Sequence, residues 1–142
     1  MARISAFEDI EAWQKARKLA DLVYKIFQRK GANQDFGLKD QMNRSIGSVM
    51  DNIAEGFERG GNKEFIQFLF VAKGSAGEAR SQCYRVLDRN YITREEYAQL
   101  TSELIAVGKM IMGLILYLKK SDLRGQKFHE PETSYDLPSL KP

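Results

Sequence analysis

The strongest constraint on the fold is an unbroken alternation of three- and four-residue steps between apolar side chains: Tyr97, Leu100, Leu104, Val107, Ile111, Leu114 and Leu118. An α-helix, turning about 100° per residue, is the structure that brings positions so spaced onto one side. Thr93-Arg94-Glu95-Glu96, just before it, has the form of a capping box, in which Thr93 and Glu96 satisfy each other's free backbone N–H groups. A stripe of this length needs other apolar faces to cover it.

Three further segments supply those faces. Trp13, Ala16, Ala20, Val23 and Phe27 predict a first helix, entered through Ser5 and Glu8 as a capping box and ended at Gly31. Leu38, Met42, Ile46, Val49, Ile53 and Phe57 predict a second, from about residue 35 to 59. Gly60 and Gly61 stop it, and Asn62 is read as the N-cap of the third. That third helix carries Phe65, Phe68, Leu69, Ala72, Ala76, Ala79, Cys83, Val86 and Leu87 on one side. Its small centre, Gly74, Ser75 and Gly77, is expected to admit another helix at close range.

Short connections between helices of matching length, roughly 22–28 residues, force neighbours to be antiparallel. The expected fold is all-α: an antiparallel up-down-up-down four-helix bundle over residues 1–120, with an irregular C-terminal tail over 121–142 that contains Pro131, Pro138 and Pro142. At 142 residues, 43% apolar and 29% charged, the chain suits one globular domain with a proper core.

No reaction centre is legible. His129, the single histidine, lies in the tail beside Glu130, so the inward-facing Glu-x-x-His pairs of di-iron bundles are missing. Cys83, the single cysteine, sits on an apolar stripe without a base, which suits a reducing compartment and a structural role. Gly60-Gly61 is followed by Asn62-Lys63-Glu64 rather than by a phosphate-cradling motif. No catalytic residue, cofactor or metal ligand is therefore expected, and the chain is read as non-enzymatic. The longest apolar run, Met110 to Leu118, falls short of the ~18 residues of a membrane span, and the first residues lack a signal sequence. The expectation is a cytoplasmic protein with no membrane partner.

The helices carry more apolar surface than their stripes use: Leu19, Leu22 and Ile26 on the first, and Ile105, Met112, Ile115 and Leu116 on the fourth. Ile66, Phe70, Gly74, Gly77 and Ser81 follow one another on a second side of the third helix. Ile66, Phe70, Gly74, Gly77, Ile105, Met112 and Leu116 are read as an apolar oligomer contact. The alternative is a wide core stripe with Phe128, Tyr135, Leu137 and Leu140 of the tail folded over the rest. A polar stripe of Gln41, Arg44, Ser48, Asn52 and Glu55, with Glu78 on the third helix, is read as a subunit contact in which Arg44 pairs with Glu55 or Glu78, or else as a solvated outer face. Lys15, Lys18, Lys25 and Arg29 on the first helix, with Arg85 and Arg89 on the third, could follow phosphates. Glu11, Asp21 and Asp88 interleave with them, which leaves an ordinary charged face as the alternative.

Gln41-Met42-Asn43-Arg44, then Ser48, then Asn52-Ile53-Ala54-Glu55-Gly56-Phe57, then Lys63-Glu64-Phe65 and Gly74-Ser75 through Glu78 resemble the bacterial four helix bundle protein family, also called the 23S rRNA intervening-sequence protein or S23 family. Phe7 through Ala16 is similar to its opening segment, and the likeness covers about residues 7 to 120. The resemblance implies a ring-shaped homopentamer. A related branch, the accessory protein of diversity-generating retroelements, is basic and binds nucleic acid and a reverse transcriptase. This chain, with a net charge of +3, is closer to charge balance than that branch. The expected function is a non-enzymatic oligomeric accessory protein that binds RNA or DNA weakly through basic helix faces repeated around a ring. The alternative is a scaffold for a protein partner, without nucleic-acid binding.

Overall fold

The structure, a computed structural model, describes residues 4–123. These residues form four α-helices and no strand: α1 (Glu11–Ile26), α2 (Phe36–Glu58), α3 (Asn62–Asp88) and α4 (Arg94–Leu123). The expectations placed on Phe128, His129, Tyr135, Leu137, Leu140 and the tail prolines lie outside the described residues. The lengths do not match: α1 has 16 residues and α4 has 30. The fourth helix runs past residue 120, the expected end of the bundle.

Each boundary has a local cause. At the start, Ser5 and Glu8 do not form the expected box; the Asp9 carboxylate accepts from the backbone N–H of Ser5 and of Ala6 and holds a 3-10 turn over Phe7–Asp9. Asp35 caps α2, its side chain accepting from Leu38 N–H. Gly31 and Gly60 turn the chain with φ of +92° and +85°, and Asn90 ends α3 at +63°, the left-handed region that glycine and asparagine tolerate best. Asn62 is the first residue of α3 rather than its cap; its amide reaches across to donate to Leu118 O at 3.1 Å. Before α4, Thr93 N–H donates to Glu96 and Glu96 N–H to Thr93 Oγ1, completing the box the sequence announces.

In cross-section α1 touches α2 and α4, and α3 touches the same two, so α1 and α3 stand on a diagonal. Contacts run in opposite chain order along α2 and α3, from Gln41–Arg85 through Ser45–Gln82 to Ser48–Ser75. Along α3 and α4 they run from Asn62–Leu118 to Tyr84–Tyr97, and along α1 and α4 from Lys15–Glu103 to Arg29–Glu96. Helices adjacent in the square are therefore antiparallel.

The stripes of α2, α3 and α4 enter the core, with Ile53, Phe65, Leu69 and Ile111 fully buried, but Phe68, Leu87 and Tyr97 at their edges are only half-buried. On α1 the inward register differs. Ala12, Ala16, Leu19, Val23 and Ile26 are buried, while Trp13 and Ala20 are only half-buried. The helix is rotated so that the flank formed by Leu19 and Ile26 meets the core, and Trp13 leans edge-on against Phe7 at 5.2 Å. Ile115, read as a surplus flank residue, is also fully buried.

By length and composition α4 could cross a membrane, with a mean hydropathy of 1.5 within residues 94–121, which its uninterrupted apolar run alone does not suggest. Its Leu100, Leu104, Val107, Ile111, Leu114 and Leu118 are nevertheless consumed by the bundle core.

The close approach expected at Gly74 and Gly77 is absent within the subunit, because a Cβ at either would meet nothing within 4 Å. It occurs at Gly56, where a Cβ would stand 2.7 Å from Phe68 Cβ. There α2 and α3 converge just before the Gly60 turn.

Candidate functional site

The structure separates the predicted basic residues from solvent anions by giving most of them internal partners. Lys15 pairs with Glu103, Lys25 with Asp21 at 3.0 Å, and Arg29 with Glu96 at 2.6 Å. Arg29 also donates to Tyr91 O. On α3, Arg89 pairs with Asp35 and Arg85 donates to Gln41 Oε1 at 2.7 Å. The Arg29 hydrogen bond and the Thr93 N–H pull the Glu96 carboxyl down to about 2. Asp35, held by Tyr91 OH, Arg89 and Leu38 N–H, is likewise lowered. Of the six candidates, Lys18 alone has no such partner among the described residues. The face of α1 is thus largely neutralised, because its cations meet carboxylates up to 88 residues away.

The polar stripe of α2 is also occupied from within. Ser48 Oγ lies 2.8 Å from Ser75 Oγ, and Asn52 Nδ2 donates to Ser48 O and to its Oγ. Gln41 accepts from Arg85, so Gln41 and Ser48 belong to the α2–α3 seam within the chain. Within the chain Arg44 pairs with Asp40, and Glu55 with Arg59. Beneath the stripe, the buried Ser45 hydroxyl bonds to Gln82 Oε1 at 2.6 Å, a contact no spacing rule indicated.

Of the seven residues read as an apolar contact, Gly77, Ile105 and Met112 line one groove between α3 and α4. Phe70 and Ile105 remain 43% and 39% exposed, and Ile66, Met112 and Leu116 are half-buried. Gly74 and Gly77 leave the surface open. The groove has a volume of about 330 Å³, with Ala76, Gly77, Leu104, Ile105, Gly108 and Met112 as its apolar lining.

What sequence reasoning missed is the charge on this groove. Lys73, Arg80 and Lys109 line it, and Lys119 sits 5.4 Å from the Phe70 ring. None of the four has an ion-pair partner among the described residues, and no carboxylate lines the groove. Glu103, the acid on α4 nearest to it, is bound to Lys15 on the α1 side. The seven-residue interval from Lys73 to Arg80, two turns on the side of Gly77, was the available signal. A wider concavity of about 690 Å³ lies on α1, but Glu8 and Asp21 line it together with Arg17 and Lys18, so it offers no field of one sign.

Other chemistry finds little support in the geometry. Burial pushes the Cys83 thiol up to about 11, well away from a nucleophile's range. Among the described residues no group of three or more His, Cys, Asp or Glu side chains could hold a metal ion.

Fold and surface together define a four-helix-bundle protein whose exposed feature is a cation-rimmed apolar groove between its two longest helices. Within that class the chain belongs to the 23S rRNA-intervening sequence protein family, whose model matches residues 8–113. It is similar in fold to a protein of unknown function from the S23 ribosomal protein family of Bacteroides thetaiotaomicron. The two share 24% identity at a TM-score of 0.66, over 73% of this chain and 97% of the other. No curated protein matches the chain.

Proposed function

We propose that the protein is a non-enzymatic accessory protein of the cytoplasm that binds nucleic acid weakly, structured RNA above all, through the groove between α3 and α4. The observation that carries this reading is that Lys73, Arg80 and Lys109 line the apolar groove with no carboxylate in its lining, while Lys119 lies over the exposed Phe70 ring, all four without an ion-pair partner among the described residues. Lysine and arginine contact phosphates, and an exposed ring such as that of Phe70 offers a face on which a base stacks. The α1 face is set aside as the contact because three of its four candidate cations, Lys15, Lys25 and Arg29, are paired with carboxylates.

The test is fluorescence anisotropy with a labelled RNA hairpin between 50 and 200 mM salt. If all four cations meet phosphates, affinity should fall about 10²-fold over that range. Arg80→Glu with Lys109→Glu should remove binding, and Lys25→Glu should leave it in place. Absence of binding at 50 mM salt, or binding indifferent to the groove variants, ends the reading.

A second reading, the homo-oligomer, is favoured by a specific feature of the opposite side of the bundle. There Tyr24 and Phe36 are 56% and 71% exposed, and α2 presents Asp51 and Glu58, two acids without an ion-pair partner among the described residues. A two-fold contact of the cationic groove with itself would oppose like charges. A head-to-tail contact of groove against the α1/α2 side joins opposite ones and leads to a ring when it closes. Light scattering that gives several chains per particle, reduced to one by Glu58→Lys, would favour this reading over the first.

A further inference from the structure

We infer that residues 129–140 of the chain's own C-terminus occupy the α3/α4 groove in the free protein, acting as an internal acidic competitor for the groove's ligand. This rests on the reading of the groove as the functional face, and it adds a regulator to that face. The segment lies outside the described residues, and the argument for it is one of charge, composition and reach.

The groove is cationic and apolar together, so its occupant must be acidic and apolar together. Residues 129–140 contain Glu130, Glu132 and Asp136, no lysine or arginine, and Tyr135, Leu137 and Leu140. Arg124, Lys127 and Lys141 lie outside the interval. The two other stretches of twelve residues that combine three acids with apolar side chains and no cation, 47–58 and 95–106, are parts of α2 and α4.

The dimensions agree. Fully extended, the stretch from Glu132 to Asp136 spans about 12 Å at about 3.1 Å per residue. Lys73 and Arg80, seven residues apart on α3, are separated by about 10 Å along the helix axis. The groove meets α4 between Leu104 and Met112, which lie about 17–29 Å back along the axis from Leu123. The six residues 124–129 span up to about 20 Å when extended, and the acidic segment itself supplies the rest. The tail can therefore fold back onto the groove of its own subunit.

The test uses the full chain and carbodiimide coupling, which joins a carboxylate to an amine only when the two are in contact. Mass spectrometry of an equal mixture of natural and ¹⁵N-labelled chains should show Glu130, Glu132 or Asp136 joined to Lys73 or Lys109, in pairs of like isotope. Arg80→Glu, an exposed change outside the core, should lower the yield at Lys109 about fivefold by removing one charge-assisted contact. The inference is overturned if these couplings are absent, if Lys15, Lys18 and Lys25 couple as often as the groove lysines, or if the pairs are of mixed isotope. Because this readout contains no RNA, it stands or fails separately from the RNA-binding reading. Where RNA binds, Glu130→Gln/Glu132→Gln/Asp136→Asn should bind it several-fold more tightly, and unchanged affinity would refute the competitor role.

Discussion

Replacing Gly56 and Gly47 by alanine, one at a time, tests the packing of α2 because the two glycines share a helix and differ in surroundings. At Gly47 a Cβ meets nothing within 4 Å, so Gly47→Ala should stabilise by about 0.5–1 kcal/mol through helix propensity alone. At Gly56 the new Cβ would lie 2.7 Å from Phe68 Cβ and 2.9 Å from Phe65 Cδ1. Neither neighbour yields easily. Phe68 Cβ moves only with the α3 backbone, and Phe65 is fully buried, edge-on against Phe57 at 5.9 Å. Overpacking of this kind costs about 1–3 kcal/mol, which more than offsets the propensity gain of about 1 kcal/mol. The two variants should thus differ by about 2 kcal/mol in opposite directions from the parent. Urea unfolding at fixed protein concentration should separate their midpoints with an unchanged slope. In thermal melts the gap should be several degrees. If Gly56→Ala is as stable as Gly47→Ala, the close approach of α2 and α3 is not as described.

Two further predictions concern titration and reactivity. Glu96 is held ionised down to about 2 in the folded chain, against about 4.3 for an unperturbed glutamate, so its contribution to stability is complete above the unfolded value. That contribution should be lost as pH falls from about 4.5 towards 2. Denaturation midpoints followed over that interval should fall less steeply for Glu96→Gln, which should also be the less stable protein at pH 7; parallel pH profiles would contradict the assignment. Cys83, buried with its thiol near 11, should react with a maleimide at pH 8 more than about 10²-fold slower than a free thiol until the chain is unfolded. Rapid labelling of the native protein would show that the α3 core opens.

The parts of the fold legible in advance were those fixed by neighbours in the chain. The Thr93–Glu96 box, the Asp35 start of α2 and the Gly60 stop involve residues three or four apart, where backbone geometry leaves few choices. The stripe of α2 was equally plain, since large apolar residues recur there without competitors, whereas on α4 the flank residue Ile115 joined the stripe in the core. α1 was misjudged because two apolar stripes overlap on it. Trp13 and Ala20 fit the period as well as Ala12 and Leu19, and rotation of the helix about its axis is settled by what α2 and α4 present to it. The site was less legible than the fold for a related reason. The partners of Lys15, Arg29 and Arg89 come from helices 54 to 88 residues away, so a line of lysines looks free in sequence while it is paired in space.

The sequence by itself determined that four amphipathic helices form, where α2 stops and where α4 starts, because hydrogen bonding and hydrophobic period act over one or two turns. Tertiary packing alone decided which cations remain unpaired. Folding brings Lys73 and Arg80 on α3 together with Lys109 on α4, beside an apolar floor, while it turns Glu103 away to Lys15. A charge pattern of that kind exists only once antiparallel helices lie side by side, since a surface field sums over positions that are distant along the chain.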